Sequence, residues 1–214
     1  MFGARSFANN FTNEELVQVI NYAHLYGVKV YVTCNILVLE REVSKFLEFI
    51  SFLHQNNVDA VIMQDLGMID LVHKKFPNLE IHASTQMHIH NLEGALMAKK
   101  LGIKRIVLAR ETPLEEIIKI KKYSGLEVEV FVHGALCVSY SGNCLFARSI
   151  GPRSGNRGTC TGCCRLPYKV LDEKYNVLNK GDYPLSMKDF ETIYNLDKLI
   201  TAGIDSFKIE GRMK

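Results

Sequence analysis

The stretches Val28-Lys29-Val30-Tyr31-Val32 and Ala60-Val61-Ile62-Met63 decide the fold. Both are nearly continuous in apolar residues, which is how strands covered on both faces read. Extended outward they become β-rich runs at Val28–Thr33 and Asp59–Gln64, and three more follow at Glu80–Ala83, Arg105–Ala109 and Glu127–His133. Between the runs lie segments of helical period.

The first helix starts at Thr12, where Glu15 three residues on completes a capping box. Leu16, Val19, Ile20 and Ala23 mark one face, and Gly27 ends it. Val43, Phe46, Leu47, Ile50 and Leu53 stripe a second helix. A shorter helix is expected after Gly67, and another between Asn91 and Gly102. Thr112-Pro113-Leu114-Glu115 reads as a capping box with proline at the first helical position. Strand and helix alternate every roughly 25–30 residues, the pattern of successive βα units. A parallel sheet follows, open or closed into a barrel. A full eightfold barrel takes roughly 250 residues, and this chain has 214. The last elements expected are a helix from Ser186 to about Ala202 and a strand at Ser206–Ile209.

Composition narrows the class. The apolar fraction of 47% and charged fraction of 23% are those of a soluble globular domain. A net charge of +3 implies by itself neither nucleic acid nor a lipid surface. No stretch is apolar for long enough to cross a bilayer, and Met1 to Asn10 lacks the apolar core of a signal peptide. The expected location is the cytoplasm. There six cysteines are reduced thiols, metal ligands or catalytic groups rather than disulfides.

The βα pattern breaks after His133. From Val138 to Leu171 there is no Asp or Glu, while Arg148, Arg153, Arg157, Arg165 and Lys169 fall in the same span. A long loop in a compact domain is usually functional or disordered, and this one follows a strand end, where barrel active sites are built. Its arginines suit phosphates or neighbouring carboxylates. Cys137, Cys144, Cys160, Cys163 and Cys164 lie within 28 positions. Spacing alone admits an iron–sulfur cluster, zinc, or free thiols. Cys34 ends a buried strand and reads as a small core residue. His82, His88 and His90 surround Ser84-Thr85-Gln86 at a strand end, and His133 lies just before the cysteine loop, placed to act as acid, base or substrate contact. Gln64-Asp65 and Arg110-Glu111 also end strands, as site groups or as caps of the next helix.

Taken together these residues resemble a known family. Glu129-Val130-Phe131-Val132-His133-Gly134-Ala135-Leu136-Cys137 with Gly142-Asn143-Cys144 resembles the signature of the collagenase-like peptidase family, U32. Gly155-Asn156-Arg157-Gly158-Thr159-Cys160, Cys164-Arg165-Leu166-Pro167-Tyr168 and Ser206-Phe207-Lys208-Ile209-Glu210-Gly211-Arg212 extend the likeness, as do the upstream Ala8-Asn9-Asn10-Phe11, Gln64-Asp65-Leu66-Gly67, Ser84-Thr85-Gln86 and Arg110-Glu111. The resemblance implies a β/α barrel that begins here after its first strand. Some members were described as proteases acting on collagen. Others resemble oxygen-independent hydroxylases of a transfer-RNA wobble uridine, of ribosomal RNA or of a ubiquinone precursor. Those hold a four-iron four-sulfur cluster on four cysteines, and prephenate is linked to hydroxylation in the RNA branch. Carried over, Cys137, Cys144 and Cys160 are three ligands. Many relatives place the fourth after Lys-Asp-Leu, where this chain has Lys188-Asp189-Phe190-Glu191, so Cys164 is the substitute, with Cys163 next. Ala147 stands where the signature has a serine, which weakens any serine mechanism.

The reading is thus an α/β chain, an incomplete (β/α) TIM-barrel-like domain with a long Cys/Arg-rich loop insertion. Residues 1–136 carry the βα repeats of a barrel lacking its first strand, 137–171 the basic cysteine loop, and 172–214 the terminal helix and strand. Its expected activity is hydroxylation of tRNA uridine. His133, Glu111 and Gln86 are the expected catalytic groups, and Cys137, Cys144, Cys160 and Cys164 the cluster ligands. Arg148, Arg153, Arg157 and Arg165 are the expected contacts to tRNA or other RNA. The alternatives are a protease, or a non-catalytic remnant or split subunit that works with a partner.

Overall fold

The computed structural model describes residues 2–6 and 8–210. Strands β1 (Tyr31–Cys34), β2 (Ala60–Met63), β3 (Glu80–Ala83), β4 (Arg105–Val107) and β5 (Glu127–Ala135) pair in parallel in chain order. Helices α1 (Asn13–Leu25), α2 (Val43–Gln55), α3 (Leu66–Lys75), α4 (Leu92–Lys100) and α5 (Leu114–Ser124) alternate with them. After the cysteine loop, which holds the short α6 (Phe146–Ile150), come β6 (Asp189–Glu191), α7 (Leu196–Thr201) and β7 (Ser206–Glu210). β7 pairs with β5 in parallel and β6 with its upper end antiparallel. Six parallel strands and their helices make an α/β half-barrel, as the sequence implies. The family signature's Gly211 and Arg212 lie outside the described residues.

Strand period sorts the side chains onto two faces. Val61, Met63, Ile81, Ala83, Ile106, Val128 and Val130 turn outward and pack with Ile20, Phe46, Ile50, Leu53, Ile69, Val72 and Ile120 of the helices. The concave face is polar. Arg105 donates to Glu127 at 2.7 Å and lies 3.6 Å from Glu129 and 5.3 Å above the Tyr31 ring. Glu129 accepts from Ser206 and Lys208, each at 2.9 Å. The fully buried His82 sits edge-on to Tyr31 at 4.8 Å.

Several local expectations change. The Thr12–Glu15 capping box forms, but the one at Thr112 does not: its hydroxyl donates back to Ala109 O at 2.7 Å, and Pro113 is the cap residue rather than the first helical one. α3 starts before Gly67, at Leu66, because Asp65 accepts from Met68 N at 3.1 Å. The helix expected from Ser186 shrinks to Leu196–Thr201, since Asp189–Glu191 pairs as a strand with His133–Ala135.

The buried polar groups set an acid response. Burial and Arg105 hold His82 below its ordinary value of 6.5, against Glu80 and Glu129. Burial pushes Glu129 up, but Lys208, Ser206 and Arg105 outweigh it and leave the carboxyl below its ordinary 4.5. Asp205 ends below its ordinary 3.8: burial raises it, and Lys121 with Val128 N prevails. For every group the folded pKa lies under the unfolded one. Each contribution is therefore complete above the unfolded pKa and is lost as pH falls through the folded value. The melting temperature is expected to hold steady above pH about 6.5, fall gently below it as His82 binds a proton only on unfolding, and fall again below about 4.5 as the carboxylates follow. His82→Asn should remove the upper step in a pH series of thermal melts.

Candidate active site

The strand ends carry the polar residues, and the cysteine loop lies across them. Arg110, after β4, places its guanidinium 4.1 Å from the Phe131 ring and donates to Glu210 at the end of β7. Glu210 also takes Arg5 at 3.2 Å, and Lys208 lies 5.6 Å from the same ring. An acidic side chain is thus bridged by two arginines over an aromatic floor. Asn35, past β1, donates to Ser84 Oγ at 3.1 Å, and Gln64 donates to Asn35 O at 2.8 Å and to Asn156 O of the loop at 3.3 Å. Asp65 is a cap, holding Met68 N and Val38 N. Gln86 Oε1 is buried and has no hydrogen-bond partner among the described residues. His133 is exposed, opposite Glu191 in the β5–β6 register.

The loop is fastened to this rim at several points. Leu37 N donates to Asn156 O at 3.2 Å, and Ser6 Oγ to Gly158 O at 2.9 Å. Arg157 makes a two-pronged pair with Glu42 at 2.8 and 2.7 Å and also donates to Leu37 O. Arg165 donates to Leu136 O at 2.7 Å, to Ser186 Oγ at 2.8 Å and to Met187 O. These two arginines, expected to meet phosphates, instead satisfy carbonyls and a carboxylate inside the protein. Arg148 and Arg153 lie on the exposed side of the loop.

Five cysteines share this region. Burial raises the Cys164 thiol, and Cys137, Cys160 and Cys163 around it raise it further against Arg165. Gly155 stands between Cys144 and Cys160: a Cβ there would lie 3.9 Å from both Cys144 O and Cys160 Cβ. Gly162 N–H points at Cys160 Sγ at 3.4 Å. Cys163 is buried. Cys34 is fully buried at the end of β1 and its thiol is pushed up to about 12, consistent with a core residue. Among the described residues no three His, Cys, Asp or Glu side chains are close enough to hold one metal ion.

Glu111 is fully engaged. It accepts Ser141 N at 2.8 Å and Ser141 Oγ at 2.9 Å, and lies 3.2 Å from His88 Nε2. Burial raises its carboxyl, and Ser141 and His88 outweigh that and leave it below the ordinary carboxylate value. Ser141, Asn143, Phe131 and Glu210 emerge here as site residues that sequence reasoning did not single out individually. Asn143, Phe131 and Glu210 had one advance signal, membership of the quoted motifs, and Ser141 had none.

No helix among the described residues is long and apolar enough to cross a membrane. The chain is 42% identical over 213 residues to the 23S rRNA 5-hydroxycytidine C2501 synthase of Escherichia coli (strain K12), an alignment covering 100% of this chain and 32% of that protein. It is 37% identical to the tRNA hydroxylation protein P1 of Bacillus subtilis (strain 168), with 100% and 52% covered. It is 31% identical to the collagenase of Porphyromonas gingivalis, with 99% and 53% covered. The chain thus spans about a third to a half of the curated relatives it matches. In fold it is similar to the solved U32 peptidase Mk0906, with a TM-score of 0.64 at 14% identity over 99% of this chain and 81% of that one. Residues 1–214 match Peptidase family U32, and with the half-barrel, the quoted motifs and these relatives in agreement, the chain belongs to that family.

Proposed function

We propose that this chain is the half-barrel of a cytoplasmic enzyme that hydroxylates a tRNA uridine without oxygen, using a four-iron four-sulfur cluster. The observation that carries the reading is that Cys137 and Cys160 lie around Cys164 in an acid-free basic loop across the C-terminal mouth of the sheet, with Gly155 between the Cys144 backbone and Cys160. The donor set fits the group: four thiols, one per iron, with a backbone N–H directed at a ligand sulfur. When bound, such a cluster supplies one-electron redox chemistry beside the pocket.

The chain's own residues do the rest. Cys137, Cys144, Cys160 and Cys164 hold the cluster, and Arg165 beside Cys164 offsets part of their charge. Arg110 and Phe131 form the floor of the mouth, with Gln86 as a hydrogen-bonding contact to the base and the exposed His133 as the group that moves its proton. Arg148 and Arg153 contact RNA phosphates, while Arg157 and Arg165 hold the loop in shape. Prephenate is the expected hydroxyl donor. The relatives named for tRNA and rRNA hydroxylation support this assignment. The rival reading, a peptidase, draws on the family's description and the collagenase relative.

Protein purified without oxygen is expected to hold about four irons and matching acid-labile sulfide per chain, with Cys144→Ala losing them. Mass spectrometry of nucleosides from cells lacking the gene should show a missing hydroxylated uridine. Iron-free protein that cleaves gelatin would replace this reading with the peptidase.

A further inference from the structure

Two cysteines of the cluster reading, Cys137 and Cys144, bound a short span of loop whose apex is Ser141-Gly142-Asn143. That apex is pressed against the rim. Ser141 is buried and gives both its N–H and its hydroxyl to Glu111. Asn143 Nδ2 lies 2.8 Å from His88 Nδ1, and His88 Nε2 faces Glu111 Oε1 at 3.2 Å. His88 itself adopts the left-handed conformation, with φ of 57°, and its ring stacks on His90 at 4.6 Å. Gly142 has φ of +79° and lies flat on the Gln86 carbonyl. Ser141 Oγ is also within 3.4 Å of Arg110 N. The apex thus closes a ring of contacts, Ser141 to Glu111 to His88 to Asn143, whose two loop members lie between the two cysteines.

We infer that Glu111 and His88 are positioning residues: a clamp that sets the distance and orientation of the Cys137 and Cys144 thiols, rather than an acid–base pair for the substrate. Both Glu111 oxygens are spoken for, and a carboxylate with filled acceptors is a poor proton acceptor and a good anchor. His88 has a polar partner at each ring nitrogen, Asn143 at Nδ1 and Glu111 at Nε2, which fixes the orientation of its ring. The same logic orients ligands in metal proteins, where hydrogen bonds behind the ligating residues fix their geometry. The role toward the cluster rests on the proposed function, but the clamp itself does not.

The test separates the two. In cluster-free full-length protein, the rate at which iodoacetamide alkylates each cysteine is read by peptide mass spectrometry. Glu111→Ala is expected to speed alkylation of the half-buried Cys144 about tenfold, the scale of losing hydrogen bonds to a charged group, and to leave the already exposed Cys137 unchanged. Cys163 and the buried Cys34 should keep their rates, and Glu111→Gln, which retains acceptor capacity, should recover most of the protection. An unchanged rate at Cys144, or equal acceleration at all six cysteines, overturns the clamp. In iron-loaded protein, Glu111→Ala should alter the electron paramagnetic resonance signature of the reduced cluster and Glu111→Gln restore it. An unaltered signature overturns the positioning role. Wild-type protein without iron sinks the cluster reading alone and leaves the alkylation comparison to decide the clamp.

Discussion

Glu129→Ala is expected to lower the melting temperature by roughly 10 °C, from a loss of about 3 kcal/mol spread over a domain of this size. Glu129 is buried on the concave face and takes Lys208 and Ser206 at 2.9 Å, with Arg105 at 3.6 Å. Removing it leaves the half-buried Lys208 ammonium without its carboxylate, although Arg105 keeps Glu127. The penalty comes from the orphaned charge rather than from the worth of the pair. Two controls separate these. Glu129→Gln keeps the volume and an acceptor for Ser206 and should cost about half as much. The double change Glu129→Leu with Lys208→Met removes both charges at similar volume, and is expected to restore most of the lost stability. A single mutant as stable as the parent in thermal melts would mean that water already screens this network.

Gly142→Ala is expected to have the opposite signature, a small change in melting temperature and a large one at the rim. A Cβ at Gly142 would lie 2.0 Å from Gln86 O and 2.7 Å from its carbonyl carbon, at a φ of +79°. Both neighbours are backbone, so no side chain can swing away. Overpacking costs about 1–3 kcal/mol and the left-handed conformation about 1–2 more for a residue with a Cβ. The loop escapes that cost by lifting off, because the half-barrel beneath does not depend on it. The expected result is near-parental melting, iron content reduced to a small fraction, and rapid proteolysis confined to 137–145. Full iron retention in Gly142→Ala would show that the apex does not have to dock.

How much of this was legible beforehand follows from the range of each interaction. β3 was readable to the residue, and α1 and α4 nearly so, because Thr12, Glu15 and Asn91 cap through local contacts. β6 was not, because nothing within Asp189–Glu191 demands a strand; its pairing with the far end of β5 does. Thr112 misled because its hydroxyl donates back to Ala109 O instead of accepting from a helix N–H. The strands' apolar look held for β2, buried at every position, whereas the concave charges of Arg105, Glu129 and Lys208 meet only in three dimensions. The site divides the same way. The cysteines and the basic loop stood out by spacing and composition, but nothing local tells that Arg157 turns to Glu42 or that Ser141 fills Glu111.

The tethers of the cysteine loop also imply an order of assembly. Ser6 and Gly158 meet across 152 positions, and Arg157 and Glu42 across 115. Each neighbouring pair among β1 to β5 closes over a single helix, so its loop entropy is repaid early. As the chain leaves the ribosome, the first five strands can pair before the rim's distant partners exist. The cysteine loop then settles last onto a finished scaffold, and its thiols stay accessible to cellular delivery factors or to oxidants until it does.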